Sequence, residues 1–269
     1  MTELRADCSR CTGLCCVALP FDRGADFAFT KPAGTPCRHL AADRRCAIHD
    51  RLRPSGFAGC VSFDCFGAGQ RVAGTHPDWR AHPDTAPATF AAFARLRVLH
   101  ELLWYLRQAR SWPAAASLAG ELDAATAATE RLAEVDGSGA AVDGPEAEAD
   151  RPEAEAHRAA VAPLLRRASE LVRGDDGADL AGRDLAGRDL RHTDLRRTTL
   201  RGALLIGADL RGAVLDRTDL LGADLRGADL RGADASTALY LTQPQVNAAR
   251  GDADTRLPAG LDRPPHWNP

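Results

Sequence analysis

The stretch that decides the fold runs from residue 178 to residue 232 and repeats a five-residue unit, seen in its simplest form as Ala223-Asp224-Leu225-Arg226-Gly227. A leucine recurs at every fifth position without interruption, and a glycine follows most of these leucines by two residues. The eleven leucines are Leu180, Leu185, Leu190, Leu195, Leu200, Leu205, Leu210, Leu215, Leu220, Leu225 and Leu230.

A five-residue period fits neither a helix nor a flat strand. Steps of five residues at ~100° per residue scatter the leucines around the whole circumference of an α-helix. An odd spacing also sends successive leucines to opposite faces of a strand. Every leucine can face inward only if the chain turns a corner once per unit, and glycine tolerates the backbone angles of such a corner. Units of fixed period stack on their neighbours, so the pattern predicts a solenoid.

The unit resembles that of the pentapeptide-repeat proteins, whose consensus is a small residue, Asp or Asn, Leu and two variable positions. The resemblance implies a right-handed quadrilateral β-helix with four pentapeptides per coil. Residues 178–237 would then form about three coils, a stack of ~14 Å at the ~4.8 Å strand spacing. The segment 241–258 and the closing His266-Trp267 resemble the cap that follows such repeats.

Two departures from the repeat consensus bear on the surface and on the first coil. Arg183 and Arg188 occupy a position that is usually small and inward, which puts the regularity of the first coil in doubt. Apolar residues also stand at positions expected to face outward, where they form either a docking patch for another domain or a second copy, or scattered surface residues that need no explanation. These residues are Leu204, Ile206, Val214 and Leu221.

The middle of the chain shows helical spacing of apolar residues. One helix is predicted for Ala88–Arg110 and a second for Pro113–Glu134, forming an α-helical hairpin packed on the N-terminal module. A third helix, predicted for Pro152–Val172, and a fourth, predicted for Gln243–Arg250, would cap the two open ends of the β-helix. The aromatic residues expected in the hairpin core are Trp104, Tyr105 and Trp112.

All cysteines of the chain fall within its first 65 residues, and a cytosolic chain keeps its thiols reduced, so metal binding is favoured over disulfides. Cys8-x2-Cys11 is a familiar chelate spacing. The adjacent Cys15 and Cys16 point in different directions and serve either two centres or one centre and a structural role. The predicted metal ligands are Cys8, Cys11, Cys15, Cys16, Cys37, Cys46, Cys60 and Cys65.

The motif order Cys8-x2-Cys11-x3-Cys15-Cys16, Cys37-Arg38-His39-Leu40 and Cys46-Ala47-Ile48-His49 resembles that of the bacterial cysteine-cluster proteins regarded as zinc- or iron-chelating. The resemblance covers roughly residues 5–70. Thiolates suit both Zn²⁺ and Fe–S clusters, and we slightly favour Zn²⁺ over an Fe–S cluster. His39 and His49 are either ligands or surface and second-sphere histidines.

Composition limits the classes of function. No apolar run is long enough for a transmembrane span and no signal peptide is recognised, so a cytoplasmic protein is expected. The stretch Asp136–Glu155 is rich in Ala, Gly, Pro and Glu and is interpreted as a flexible linker. No dinucleotide fingerprint, P-loop, nucleophile elbow or His-Glu-x-x-His motif occurs, and the aspartates before the leucines are interpreted as corner residues that bind local backbone.

The predicted architecture is therefore mixed and multi-domain. It comprises a Cys-rich metal-binding module at 1–70, an α-helical hairpin at 71–135, an acidic linker at 136–152, an N-terminal capping helix at 153–173, the pentapeptide-repeat β-helix at 174–240, and a C-terminal capping helix and tail at 241–269.

Three functions are compatible with this organisation. We favour a non-enzymatic metal-binding scaffold that mediates protein–protein interaction, with a protein partner, no membrane contact, and a homodimer as one alternative assembly. The second is an accessory or redox enzyme with an Fe–S cluster or a labile metal. The third is a DNA mimic that interacts with gyrase, which the 12 Asp and 10 Arg of residues 174–240 disfavour because the segment is close to neutral. Nucleic-acid binding is not expected.

Overall fold

A computed structural model describes residues 2–134 and 145–267, with only the backbone for residues 145–151. Its seven α-helices within these residues are α1 (Leu14–Val17), α2 (Ala58–Ser62), α3 (Ala68–Ala73), α4 (Ala86–Ser111), α5 (Ala119–Leu132), α6 (Pro145–Arg173) and α7 (Gln243–Ala248). Short 3₁₀ turns occupy Cys8–Arg10, His49–Arg51, Pro83–Thr85, Pro113–Leu118 and Pro265–Trp267. In the described part of the chain, no helix is both long and apolar enough to cross a bilayer.

The chain divides into two compact units. The first contains Met1–Ala58, Asp64–Arg110 and Leu118–Leu165, and the second contains Gly59–Phe63, Ser111–Ser117 and Arg166–Pro269. Most of the cysteine-bearing segment therefore belongs to the first unit, together with α4 and α5. The repeat belongs to the second.

The repeat forms a solenoid whose backbone pairing has a period of twenty residues. Parallel bridges join Asp179 to Thr199, Thr199 to Asp219 and Asp219 to Leu239, and three further columns of bridges follow the same spacing. Each bridge is isolated, and no continuous strand forms within the described residues. Each of these bridges therefore joins residues that lie four pentapeptides apart.

The leucines that recur every five residues form the core of this solenoid. The leucines from Leu195 to Leu230 are almost completely buried, and alanines two residues before several of them, such as Ala208, are also buried. Leu180, Leu185 and Leu190, the first three leucines of the repeat, are only partly buried. Arg183 and Arg188 are exposed there, yet the bridge from Asp184 to Leu204 keeps the twenty-residue register. The first coil is thus regular in its backbone.

The corners of the repeat, where glycine was expected, adopt the left-handed backbone conformation. Gly182 has φ +65° and Gly227 has φ +67°, and the other glycines two residues after a leucine are similar. His192, Arg197 and Arg217 adopt the same conformation without being glycine, which L-residues do at a cost of roughly 1–2 kcal/mol per residue. The turn geometry is therefore imposed by the stacking of coils even where the local residue disfavours it.

The corner conformation predicts the effect of Gly227→Ala. A Cβ at Gly227 would meet no atom closer than 4.0 Å, so only its φ of +67° penalises the substitution. We expect the free energy of unfolding to fall by about 1–2 kcal/mol. The matched control is Gly120→Ala in α5, where a Cβ meets open space and φ is ordinary; it should raise the free energy by about 0.5–1 kcal/mol. Equal effects of the two substitutions in urea unfolding would contradict the assignment.

Both ends of the solenoid are covered by chain segments from within its own unit. On the N-terminal side, Ala168 and Ser169 of α6 are fully buried, and Arg173 Nη1 donates to the carbonyl of Arg197 at 2.9 Å. On the C-terminal side, the tail continues the parallel backbone bridges of the repeat, because Arg250 bridges to Asp229 and Arg256 bridges to Asp234. The C-terminal cap is therefore a partial coil with a six-residue helix inserted in it, rather than a helix alone.

The predicted helices occur with shifted bounds. The helix predicted for 152–172 begins at Pro145, inside the predicted linker, while residues 136–144 of that linker lie outside the described residues. The second helix of the hairpin starts as a 3₁₀ turn. Trp112 was predicted in the hairpin core, and this was wrong: its ring packs edge-on against Tyr240 at 4.8 Å, within the unit that contains the repeat.

Candidate metal centre

Seven of the eight cysteines lie in the first compact unit, and Cys60, on α2, lies in the second. All eight are free thiols. Cys8 is exposed and the others are partly buried. The sequence placed all eight in one module, whereas the contacts of the chain assign Cys60 to the unit of the repeat.

The first chelate motif is a tight turn held by its neighbours. The backbone N–H of Cys11 donates to the carbonyl of Cys8 at 3.4 Å, and Asp7 caps the turn by accepting from the N–H of Ser9 at 2.9 Å. Gln70 of α3 fixes the segment in front of it, since its amide accepts from the N–H of Asp7 and donates to the carbonyl of Arg5. The turn is therefore positioned by local capping and by α3 together.

Cys11 and Cys65 meet at α3. A Cβ placed on Gly69 would lie 2.9 Å from Cys11 Sγ and 3.5 Å from Cys65 Sγ, so both sulfurs reach the same point of the helix. The segment that carries Cys65 is anchored by His100, whose Nδ1–H donates to the carbonyl of Phe66 at 2.7 Å. Glycine at position 69 is thus required by the approach of the two sulfurs.

Burial raises the pKa of the thiols of Cys37, Cys46 and Cys65, and backbone N–H groups that follow them in the chain act against it. These groups belong to His39 for Cys37, to Ile48 for Cys46, and to Gly69 and Gly67 for Cys65. Burial raises the pKa of the Cys65 thiol to about 11, and these two donors act in the opposite direction. Donors of this kind stabilise a thiolate, which is the form that binds metal.

Cys15 and Cys16 form an adjacent pair in α1 with their sulfurs 3.9 Å apart. The hydrogen bond from Cys15 lowers the pKa of the Cys16 thiol, and the ammonium of Lys31 adds to this effect against the burial. The same hydrogen bond and burial raise the pKa of Cys15. The two thiols of the pair are therefore chemically different.

The two histidines considered as metal ligands, His39 and His49, lie in different surroundings. His39 packs among phenyl rings, 5.2 Å from Phe57 and 6.0 Å from Phe29 between ring centroids. Its Nε2 accepts from Arg38 at 3.4 Å. His49 is exposed. Within residues 2–134 and 145–267, no three His, Cys, Asp or Glu side chains are gathered closely enough to hold a metal ion.

The thiols of this site are suitable donors for a metal ion, but they do not form a closed set of ligands. Soft thiolates are the ligands that Zn²⁺ and Fe–S clusters use. The sulfurs of Cys11 and Cys65 approach the same point of α3. Further convergence of the sulfurs is needed to complete any such centre.

Sequence reasoning missed two features of this unit. Lys31 is buried close to the cysteines, and its only sequence signal is that it is the sole lysine of the chain. An aromatic cluster also surrounds His39, with ring centroids 4.5–6.5 Å apart among its phenylalanines. The cluster consists of Phe21, Phe27, Phe29 and Phe57, which the sequence spaces irregularly.

The surface of the solenoid carries a regular array of Asp residues that bind local backbone, as predicted. Asp179 Oδ1 accepts from the N–H of Ala181 at 3.0 Å, and the same bond recurs two residues after most aspartates of the columns. Five of these aspartates also pair with the arginine two residues further on. The pairs are Asp189–Arg191, Asp194–Arg196, Asp209–Arg211, Asp224–Arg226 and Asp229–Arg231.

The exposed apolar residues of the solenoid do not form one patch. Leu204 and Ile206 flank the buried Leu205 and are 42% and 37% exposed. Val214 is 37% exposed but belongs to the column of Asp194 and Asp234, two columns away from that of Leu204. Leu221 is half-buried. The scattered arrangement, raised as one alternative, is the one found.

Comparison with known proteins agrees with this solenoid. The family described as pentapeptide repeats matches residues 176–212 and 203–238. The chain belongs to the pentapeptide-repeat proteins. It is 48% identical, over 98% of its length and 95% of the other protein, to the uncharacterized protein YybG of Bacillus subtilis (strain 168).

Solved structures similar to this chain are also pentapeptide-repeat proteins. Rfr23 from the cyanobacterium Cyanothece 51142 is 33% identical over 30% of this chain and 57% of its own, with a TM-score of 0.23. HetL from Nostoc sp. strain PCC 7120, a protein involved in heterocyst differentiation regulation, is 29% identical over 31% of this chain and 35% of its own, with a TM-score of 0.22. The chain thus spans little more than half of the first of these structures.

Proposed function

We propose that the chain is a non-enzymatic, metal-binding scaffold protein that mediates protein–protein interaction. The observation that carries the metal-binding part is the approach of Cys11 and Cys65, whose sulfurs lie 2.9 Å and 3.5 Å from one point beside Gly69. The ligands would come from the seven cysteines of the first unit, and Cys60 would not contribute.

A structural zinc ion is the simplest occupant. Bound to thiolates, it would cross-link segments that are otherwise short turns, and the free energy of binding would then stabilise the fold. The first unit has few regular elements before α4, so such a cross-link would join the turns around Cys8, Cys37 and Cys46. We place the protein in the cytoplasm, where thiols remain reduced.

For the repeat, we propose the right-handed quadrilateral β-helix of about three coils that the resemblance implies, within the domain limits derived from the sequence. The twenty-residue register of the parallel bridges supports four sides per coil. Its role as an interaction surface is supported by its rigidity, since the leucine core is closed and almost every Asp of the columns is engaged.

The surface charges disfavour DNA mimicry. A mimic needs uncompensated negative charge at a density near that of duplex DNA, about one per ~1.7 Å. Here five of the aspartates pair with an arginine in the same pentapeptide, as in Asp224–Arg226 at 2.7 Å. A redox function with an Fe–S cluster would use the same thiolates as the zinc proposal. The identity of the bound metal distinguishes the two functions.

Native mass spectrometry with elemental analysis, on full chain purified without oxygen, tests the proposal. We expect bound zinc in stoichiometric amount, and the same measurement reports whether a homodimer forms. A brown protein containing iron and sulfide would replace zinc by the redox alternative. Protein that carries no metal and takes up neither zinc nor iron would contradict metal binding altogether.

A point substitution at α3 makes the same test specific. Gly69→Ala introduces a methyl group 2.9 Å from Cys11 Sγ, so we expect at least about tenfold weaker zinc binding, the lower end of what disturbing the surroundings of ligands costs. Alanine is otherwise favoured at this helical position. The control is Gly120→Ala, which meets no neighbour and should leave zinc affinity unchanged. Unaltered affinity in Gly69→Ala, measured by chelator competition, would exclude Cys11 and Cys65 as a shared ligand pair.

A further inference from the structure

A cavity of about 760 Å³ lies at the C-terminal end of the solenoid. Its walls come from residues 232–236 of the last coil and from residues 253–263 of the tail, all within the second compact unit. A volume of this size falls in the range of cavities that bind small ligands, about 300–1,000 Å³. The metal-binding proposal uses no residue of this cavity.

The wall formed by the tail is fixed to the last coil by polar contacts. Asp252 Oδ1 accepts from the N–H of Gly232 at 3.0 Å and from the N–H of Thr255 at 2.9 Å. Thr255 is buried, and its hydroxyl donates to the carbonyl of Leu230 at 2.9 Å. The backbone N–H and carbonyl of Arg256 both bond to the last coil. The cavity is therefore preformed, and a ligand does not have to order its walls.

Two arginines bring guanidinium groups with unused donors to the cavity. Arg263 Nη2 donates to the carbonyls of Ala253 at 2.9 Å and Thr255 at 3.2 Å, which orient the group. Among the residues that the structure describes, its Nε and Nη1 have no acceptor and no carboxylate pairs with it. Arg256 is 73% exposed, and its side chain contacts only Asp234 of the described residues, at 3.4 Å. Free guanidinium donors bind a carboxylate through charge-assisted hydrogen bonds.

The other lining residues restrict the kind of anion that fits. Asp254 is exposed, and no hydrogen bond or ion pair within the described part of the chain uses its carboxylate. It repels a highly charged anion such as phosphate and offers an acceptor to N–H groups. Leu257 and Leu261 are partly buried against the leucine core and add apolar surface. A ligand that matches all of these features has a single carboxylate, N–H donors and an apolar side chain, which are the groups of a peptide.

We propose that this cavity binds an extended peptide segment of a protein partner, whose carboxylate pairs with Arg256 and Arg263. An apolar side chain of the peptide contacts Leu257 and Leu261, and its N–H groups donate to Asp254. The inference rests on the proposed interaction role and assigns to it a surface and a partner chemistry. The carboxylate is either the C-terminus of the partner or an acidic side chain, since both present the same two oxygens.

Three synthetic peptides test the assignment on the full chain: acetyl-Leu-Ala-Leu with a free carboxylate, the same peptide as its C-terminal amide, and acetyl-Leu-Glu-Leu amide. Binding is followed by ¹H–¹⁵N NMR through the backbone signals of residues 232–236 and 253–263. We expect the free-carboxylate peptide, the glutamate peptide or both to shift these signals. The neutral amide should bind at least about tenfold more weakly, because it lacks the charge-assisted hydrogen bonds. The peptide that binds more tightly identifies the source of the carboxylate.

Substitutions make the test specific to the two guanidiniums. Arg263→Gln and Arg256→Gln each remove one of them, and we expect each to weaken binding of the carboxylate peptide at least about tenfold. The matched control is Arg250→Gln, because Arg250 is an exposed arginine of the same tail that does not line the cavity; it should leave the affinity unchanged. Arg263 also holds two carbonyls, so Arg256→Gln, at a mostly exposed side chain, keeps the test valid if Arg263→Gln does not fold.

Three results would overturn the proposal: equal binding of the neutral amide, equal weakening by Arg250→Gln, or no shift at the cavity with any of the peptides. These results concern the cavity alone, because the metal content of the same protein is measured separately by elemental analysis. A chain that binds zinc but no peptide carboxylate keeps the metal-binding proposal and loses this site. A chain that binds the peptide without any metal has the opposite outcome.

Discussion

Asp219→Ala is expected to lower the free energy of unfolding by about 3–5 kcal/mol, the range measured when one partner of a buried ion pair is removed. The Asp219 side chain is fully buried, and its Oδ2 accepts from Arg201 Nε at 2.6 Å. The side chain of Arg201 is only 16% exposed. Without Asp219 the guanidinium therefore loses its counter-charge in a place that water reaches poorly.

The surroundings of this pair prevent an easy rearrangement. The guanidinium of Arg201 lies 5.3 Å from the ring of Tyr240, and Tyr240 in turn contacts Trp112. Asp219 also accepts from the N–H of Leu221 at 3.0 Å, which shapes the corner that follows. Alanine therefore removes a counter-charge and a corner hydrogen bond at once.

The matched control is Asp224→Ala, at the same position of the next pentapeptide. Asp224 binds the N–H of Arg226 in the same way and pairs with its side chain at 2.7 Å, but the arginine is 52% exposed. An exposed pair contributes only about 0.2–1 kcal/mol, so the loss should be about 1–2 kcal/mol once the corner hydrogen bond is included. Urea unfolding measures both variants. Comparable losses would show that burial of Asp219 has no special energetic consequence.

Leu205→Ala is expected to lower the free energy of unfolding by about 2–5 kcal/mol. Leu205 is completely buried in the middle coil, with Leu185 in the coil before it and Leu225 in the coil after it. Coils above and below are held in register by backbone bonds, so they cannot close the cavity easily. The loss should appear in denaturant unfolding as a lower midpoint with an unchanged slope.

The neighbouring Leu204→Ala provides the control. Leu204 is 42% exposed and shares the backbone environment of Leu205, so its truncation should change the free energy by less than about 0.5 kcal/mol. If Leu204→Ala proved as destabilising as Leu205→Ala, then Leu204 would be covered in solution, and a docked partner or second copy would have to be sought on that face.

The repeat was the most predictable part of the fold because each of its features is local and recurs. The period predicted inward leucines, glycines at the corners and aspartates that bind local backbone. The structure has buried leucines, corner glycines in the left-handed conformation and aspartates that accept from the N–H two residues on. His192, Arg197 and Arg217 adopt the corner conformation without being glycine, and only their position two residues after a leucine of the repeat marks them as corners. Helical spacing likewise located α4, with bounds shifted by two residues or fewer.

The candidate site was predictable only in its residue types. The sequence identified the cysteines, but the approach of Cys11 to Cys65 depends on α3, and the tie between Cys16 and Cys37 depends on Lys31. The spacing of residues in the sequence marks neither α3 nor Lys31 as a neighbour of these cysteines. Trp112 was misplaced for the same reason, since its contact with Tyr240 spans more than a hundred residues of sequence.

The sequence by itself determined that residues 178–232 wind into stacked pentapeptide coils, because a period of five leaves one way of keeping every leucine inside. It also determined that every cysteine of the chain lies within the first 65 residues. Only the tertiary structure decided which charges are buried, since Asp219 and Asp224 occupy the same position of the repeat and differ in what covers their arginines. It likewise decided that Lys31 stands beside the cysteines, because burial and counter-charge arise from segments that meet only when the chain has folded.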